Sequence, residues 1–365
     1  MSTQDRTLDH YQELMTINAT AHILRAARQL GLLDQLREGQ KTVETLSERL
    51  QIPGAKVLFL LETLIPIGMV EQYQDDYALS STARLLCQYD ADLDDATWEQ
   101  LADSFQGESR SSEEQPSDSA QPVCGVGSEL RNRFDSIAAT QWVHTPAAMQ
   151  AAEILDLGPS MGPDLGASLG PDTVLDRGGE AALATTDEGD TAPIRLLDLG
   201  CGSAVWSCAI GYREKSIEIT AIDSEAALAS ATATATSIGL TDRFRVQIGD
   251  VLGTPIDEAS FDVVVIAQRL HAFSDDQIGT ILRRAWSALR AGGKLVVIDS
   301  FVGPNRPSLA ESLERLRLQI QTPSGEVPDI KRSEHRFHTA GFERVQFTFI
   351  AASRIGLGLM TGVKP

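Results

Sequence analysis

At 365 residues the chain is long enough for two domains, each with its own core. Hydrophobic residues make up 42% of it, but no apolar run reaches the roughly 18 residues of a membrane span. The formal net charge of −20, from 51 acids and 31 bases, disfavours a nucleic-acid partner, which needs a concentrated basic face.

Asp5, Asp9, Glu13, Arg25 and Arg28 interrupt the N-terminal stretch, so it lacks the apolar centre of a signal peptide. Cysteines stand at 87, 124, 201 and 208, without C-x-x-C spacing. Neither a metal site nor a disulfide framework is expected, and a cytoplasmic location fits.

From residue 8 to 90 the pattern is helical, with Ile23, Leu24, Ala27, Leu30 and Leu33 at helical spacing. Thr42 is placed to cap the next helix, and Thr45 with Glu48 could form a capping box. A turn at Pro53-Gly54 opens a third helix over 55–65. Residues 68–73 and 77–79 then alternate like two short strands about Asp75-Asp76. Helix, helix, helix and a two-stranded wing predict a winged helix. A DNA-reading third helix would need basic or amide side chains. Here Lys56 is accompanied by Val57, Leu58, Phe59, Leu60, Leu61 and Leu64, a surface that has to be buried against something. Dimerisation is the favoured reading and DNA binding its rival.

Residues 103–122 are rich in Ser, Glu, Gln and Pro, and 158–193 in Gly, Pro and acids. Neither can bury much apolar surface, so both read as mobile insertions. The domain layout expected is 1–100 winged helix, 101–130 acidic insertion and 131–365 catalytic domain, the last interrupted at 158–193. Between the insertions, 134–155 reads as helical. Trp142 is either a packing residue or, with Gln141, part of a wall over a substrate, and His144 reads as satisfied or solvated.

After Pro193 strands and helices alternate, which implies a parallel sheet covered on both faces. Strands are expected at 195–199, 217–222, 243–248, 261–267 and 293–300, with a closing hairpin of 344–351 and 354–360. The first strand runs into Asp198-Leu199-Gly200-Cys201-Gly202, a glycine turn at a helix start. Glycines belong where a ligand must come closer to the backbone than a Cβ permits. Val205 stands where a dinucleotide fingerprint wants its third glycine, and no lysine suggests a phosphate loop. The carboxylate of Asp198 favours a neutral or cationic ligand over a pyrophosphate. Asp223 ends the second strand about 20 residues further on, placed either to accept ribose hydroxyls or to cap the helix over 225–237. Asp250 ends the third strand as a ligand-facing acid or a turn residue. His271 lies just past the fourth strand, where open parallel sheets carry their chemistry. It is either structural or a base, since an imidazole can take a proton near neutral pH.

Asp198-Leu199-Gly200-Cys201-Gly202 resembles the first motif of class I S-adenosylmethionine-dependent methyltransferases. Leu270-His271-Ala272-Phe273-Ser274-Asp275 resembles the Leu-His-Asp-Trp-Ser-Asp stretch of O-methyltransferases related to the caffeic acid and hydroxyindole enzymes. The winged helix resembles their dimerisation domain. The resemblance implies an α/β fold, a Rossmann-like seven-stranded class I methyltransferase sheet preceded by the winged-helix domain. It implies S-adenosyl-L-methionine as cofactor, held by Asp198, Gly200, Gly202, Asp223 and Asp250. It also implies His271 as general base, Asp299 and Glu326 as its acidic partners, a small aromatic or polyketide-like hydroxyl acceptor, and a homodimer. No metal, nucleic acid or membrane is called for. Ala272 and Phe273 replace the family's Asp-Trp, Ala267 stands where plant members often have lysine, and Asp299 is one methylene shorter than the usual glutamate. These departures keep open a C-methyltransferase, or a non-methylating decarboxylase or hydroxylase on the same fold. A ligand-sensing winged-helix regulator is the alternative outside enzymes.

Overall fold

The computed structural model describes residues 3–88, 98–99, 101–107, 141–157, 193–303, 306–321 and 327–365. It divides into two units, Met1–Asp95 and Ala96–Pro365.

The first unit runs α1 (Thr3–Gln29), α2 (Leu32–Arg37), β1 (Lys41–Thr42), α3 (Val43–Leu50), α4 (Gly54–Leu64), β2 (Val70–Tyr73), β3 (Asp76–Leu79) and α5 (Ser81–Gln88). Its antiparallel sheet has the order β1-β3-β2, so the expected helices and wing are joined by one further short strand. Thr42 caps α3, its hydroxyl accepting from the Thr45 amide at 3.3 Å. The capping box proposed at Thr45 does not form, because Thr45 already lies inside the helix that Thr42 starts. α4 buries Val57, Leu61 and Leu64 in the unit's core, with Leu32, Leu33, Leu36, Leu46 and Tyr77, and packs Leu58 and Leu60 partly buried against it. Phe59 is left 66% exposed on its other side, and Leu8, Tyr11, Leu14, Met15 and Ile17 of α1 are likewise exposed.

The second unit begins with α6 (Leu101–Gly107) and, further on, a 3₁₀ turn (Gln141–His144) leading into α7 (Thr145–Leu155). The order is then β4 (Ile194–Leu199), α8 (Val205–Arg213), β5 (Ile217–Asp223), α9 (Glu225–Ser237), β6 (Phe244–Ile248) and β7 (Phe261–Ala267). A 3₁₀ turn (Leu270–Ala272) precedes α10 (Asp275–Ala288), β8 (Leu289–Ser300), α11 (Leu309–Gln321), α12 (Ile330–Thr339), β9 (Glu343–Phe349) and β10 (Leu357–Val363). The seven-stranded sheet has the order β6-β5-β4-β7-β8-β10-β9, with β10 antiparallel to both its neighbours and the other pairings among β4 to β8 parallel. This is the mostly parallel, helix-covered sheet expected of the class I methyltransferase fold.

Strands β4, β7 and β8 are apolar runs because both faces are covered. One face packs α7, α8 and α9, where Ala147, Ala148, Ala151 and Ala152 join Trp206, Ala209 and Leu228. The other face packs α10 and α12 through Ile278, Ile281, Leu282, Ala285 and Phe337. The last strand starts at Leu357, three residues later than the pattern suggests. Ser353 Oγ accepts from the Leu357 amide at 3.1 Å, and Gly356 sits at φ +70°, so a tight turn occupies those residues first. β8 starts at Leu289 rather than at residue 293, with an irregular register against β7 between Phe261 and Val263. Among the described residues no helix is long and apolar enough to cross a membrane.

Candidate active site

The chain order reverses between β4 and β7. β5 and β6 are laid down on one side of β4, and β7 and β8 on the other. Loops leaving the carboxyl ends of β4 and β7 therefore diverge, at the crevice position where an open α/β sheet usually binds its ligand. Gly200 to Ala204 leave β4, with Asp198 next to last in the strand, and Gln268 to Phe273 leave β7.

Gly200 (φ +79°) and Gly202 (φ +55°) take left-handed conformations that side chains disfavour. Both are also closely approached. A Cβ on Gly202 would lie 2.2 Å from Gln141 Oε1, and one on Gly200 would lie 2.8 Å from Val251 and 3.0 Å from Arg269 Nε. The amide of Ser203 donates to Gln141 Oε1 at 2.8 Å, so the 3₁₀ turn is pinned to the glycine turn. Trp142, by contrast, is 42% exposed, and Gln141 is the member of that pair buried at the crevice.

Asp198 is buried. Ser207 Oγ donates to its Oδ2, while its Oδ1 has no hydrogen-bond partner. Burial pushes its carboxyl up to about 7, opposed by the Ser207 hydrogen bond. Of the two readings of Asp223, the helix cap is not the one the structure takes. Ser224, not Asp223, caps α9, accepting from the Ala227 amide at 3.2 Å. The Asp223 carboxylate instead accepts from the Gly202 amide and the Ser224 amide, each at 2.8 Å, and from the Arg269 guanidinium. Arg269 also donates through Nε to the Gly200 carbonyl at 2.9 Å and is almost wholly buried. Its only sequence signal was a charge set between apolar Ala267 and Leu270 at a strand end. Asp250 closes its own turn, Oδ1 accepting from the Leu252 and Gly253 amides at 2.8 Å each. Burial raises the thiols of Cys201 and Cys208, the latter to about 12, so neither is a nucleophile near neutral pH.

His271 sits in the 3₁₀ turn after β7, and Asp299 near the end of β8 beside it. Nδ1 of His271 lies 2.6 Å from Asp299 Oδ1, and its backbone amide donates to Oδ2 at 3.2 Å. The Ser300 amide donates to Oδ1 at 2.8 Å, so the carboxylate is held in place. The shorter aspartate loses no reach, because ring and backbone of His271 converge on one carboxylate. Ala272 and Phe273 are both buried, apolar where the related stretch is Asp-Trp. Glu326 lies outside the described residues.

Residues 196–293 match the family described as methyltransferase domain. The 27-O-demethylrifamycin SV methyltransferase of Amycolatopsis mediterranei is 30% identical over 152 residues, 41% of this chain and 54% of that protein. The chain thus spans about half the length of this curated relative. Two solved structures resemble it over nearly their whole length. Human N-acetylserotonin methyltransferase in complex with SAM is 18% identical with a TM-score of 0.62, covering 100% of this chain and 98% of that one. N,N-8-amino-8-demethyl-D-riboflavin dimethyltransferase from Streptomyces davawensis is 18% identical with a TM-score of 0.66, covering 100% of both. Residues 196–293 therefore resemble a methyltransferase domain, and the chain has the seven-stranded fold that these solved methyltransferases share.

Proposed function

We propose that this chain is an S-adenosylmethionine-dependent O-methyltransferase acting on a small aromatic or polyketide-like hydroxyl, with His271 as general base. The observation that carries the reading is the 2.6 Å contact of His271 Nδ1 with Asp299, beyond the carboxyl end of β7. The carboxylate takes the Nδ1 proton as a hydrogen bond, which leaves Nε2 as the basic nitrogen. Nε2 would take the acceptor's hydroxyl proton, and Asp299 would stabilise the imidazolium that results, while the methyl-bearing sulfonium of a bound cofactor would leave as the neutral thioether.

The crevice fits the cofactor on its own terms. Asp198 offers a buried carboxylate oxygen with no partner, suited to a positively charged or N–H-bearing group. In this reading Asp223, fixed at the end of β5, accepts from ribose hydroxyls, the turn at Gly200 and Gly202 borders the cofactor beside Gln141 and Arg269, and Asp250 lies further along the rim. When bound there, S-adenosylmethionine supplies an electrophilic methyl group on a sulfonium. The chain's own contribution is to hold acceptor and methyl in line, to exclude water and to move one proton.

The N-terminal unit is read as a homodimerisation domain. Exposed Phe59 and the apolar row Leu8, Tyr11, Leu14, Met15 and Ile17 support this, as does the single lysine of α4. A name such as demethylrifamycin methyltransferase for a relative makes hydroxylated polyketides and phenols the first acceptors to screen, using isotope-labelled cofactor. With an acceptor in hand, His271→Ala lowers turnover by roughly 10²–10⁴-fold, the worth of a positioned base. Affinity for S-adenosylhomocysteine stays within about twofold in that variant, because His271 is not among its proposed ligands. Turnover at the wild-type rate in His271→Ala would refute the assignment of the base.

A further inference from the structure

Two imidazoles stand by the loop that leaves β7. His271 pairs with Asp299, and His144, at the end of the Gln141–His144 turn, meets Gln268 three residues before His271. The Nε2 atoms of Gln268 and His144 are 3.2 Å apart. On its other side the Gln268 amide receives the indole N–H of Trp206, at 3.3 Å from Oε1. His144 also lies parallel to Trp206, with ring centroids 6.1 Å apart and planes inclined by 21°.

These contacts fix where the protons sit. The Trp206 N–H can only donate, so the amide oxygen of Gln268 must face it and the NH₂ must face His144. An amide NH₂ can also only donate. The His144 Nε2 that meets it must therefore hold a lone pair, and a neutral ring then carries its proton on Nδ1. Gln268 itself sits at φ +52°, a conformation unfavourable for a side-chain-bearing residue and held by its neighbours.

We propose that Gln268 holds His144 as the neutral Nδ1–H tautomer, so that His271 is left as the one proton-accepting imidazole at this end of the sheet. The consequence for catalysis rests on the methyl-transfer reading above, whereas the tautomer does not. His144 and Gln268 are then positioning residues: they tie the 3₁₀ turn over the glycine loop to the loop that bears the base. Two surroundings agree with a neutral ring, the helix start and burial. His144 is the N-cap residue of α7, where the helix dipole opposes a cation. Burial lowers its proton affinity, and of the two charged groups facing it from α11, Glu314 favours the imidazolium while Arg317 opposes it.

Histidine labelled with ¹⁵N in the full chain tests this by long-range ¹H–¹⁵N correlation. His144 is assigned by the signal lost in His144→Asn, among six histidines. The wild-type protein at pH 7.5 is expected to show an unprotonated Nε2 and a protonated Nδ1. Gln268→Glu replaces the donor by a carboxylate that can only accept, so the His144 proton moves to Nε2 and the added negative charge raises the ring's midpoint by about 1–3 units. A wild-type spectrum with the proton on Nε2 overturns the proposal, as does a Gln268→Glu midpoint equal to the wild-type one. Should Gln268→Glu fail to fold, the wild-type tautomer decides by itself. Both spectra are taken without cofactor or acceptor, so a failure here and a failure of the O-methyltransferase reading are separate results.

Discussion

Gly202→Ala probes how the glycine turn is built. The new Cβ costs roughly 1–2 kcal/mol for a left-handed backbone at φ +55°. It would also lie 2.2 Å from Gln141 Oε1 and 2.8 Å from Cδ, so the Gln141 side chain has to leave. That side chain can swing away, but the Ser203 amide then loses its 2.8 Å hydrogen bond, a further cost of about 1 kcal/mol. The sum, about 2–3 kcal/mol, corresponds to a Tm lower by roughly 4–12 °C for a unit of this size.

The two contributions separate in a double-mutant cycle. In a Gln141→Ala background the clash is gone and only the backbone cost remains, so Gly202→Ala should there cost about 1 kcal/mol less than in the wild type. Urea unfolding followed by tryptophan fluorescence reads this directly, since Trp206 lies four residues from the substitution. Costs equal in the two backgrounds to within about 0.3 kcal/mol would mean that Gln141 does not rest on the glycine turn.

Asp198 is raised from its ordinary value to about 7, so the folded state binds a proton that the unfolded state has released between about pH 4 and 7. Its effect on stability is therefore absent at low pH and grows unfavourable as pH rises toward 7. Asp198→Asn should raise Tm at pH 8, with the gain vanishing near pH 4, and calorimetry of the two proteins checks it. A cationic ligand at its free Oδ1 favours the ionised form, so cofactor binding should release a proton near pH 7, seen by titration calorimetry in buffers of different ionisation enthalpy. Arg269→Met strands the buried Asp223 carboxylate and should cost about 3–5 kcal/mol, much of it regained in Arg269→Met with Asp223→Asn; an additive pair in denaturant melts would contradict the ion pair. Under the proposed homodimer, Phe59→Glu, placed on the exposed side of α4, should give a monomer in light scattering where the unsubstituted chain gives a dimer.

What the sequence disclosed was whatever backbone geometry demands by itself. Gly200 and Gly202 are legible because no other residue suits a left-handed turn under close approach. Asp223 and His271 are legible because strand lengths fix where carboxyl ends fall. Hidden from it were the contacts that depend on which way a side chain turns after its strand ends. Arg269 reaches back to Asp223 across 46 positions and Gln268 reaches His144 across 124, and no periodicity encodes either. Asp223 and Ser224 are both good caps by residue type. What decides between them is that Asp223 still belongs to β5 and faces the Gly202 amide, leaving Ser224 as the first residue free to turn. Asp250 uses Oδ1 in its own turn, which accounts for one oxygen and leaves its ligand-facing reading a proposal.

The stretch from Gln268 to His271 shows why one loop can organise the crevice. Gln268 meets the 3₁₀ turn that carries Gln141 and His144, and Arg269 grips the glycine turn and Asp223. Leu270 is buried in the core beside α10, and His271 meets Asp299 on β8. Each neighbour in the sheet order is thus touched by a different residue of one short segment, which is possible only at the point where the order reverses. The same segment settles the charges. Arg269 neutralises Asp223, so Asp198 is left as the acid without a cation, and its free oxygen is where a positively charged ligand gains most. A carboxylate already paired can still accept from hydroxyls, whereas one left unpaired in a buried crevice calls for a cation or a proton. Under the proposed reading, that division of labour gives ribose to Asp223 and the cationic end of the cofactor to Asp198, with the base held apart on its own aspartate.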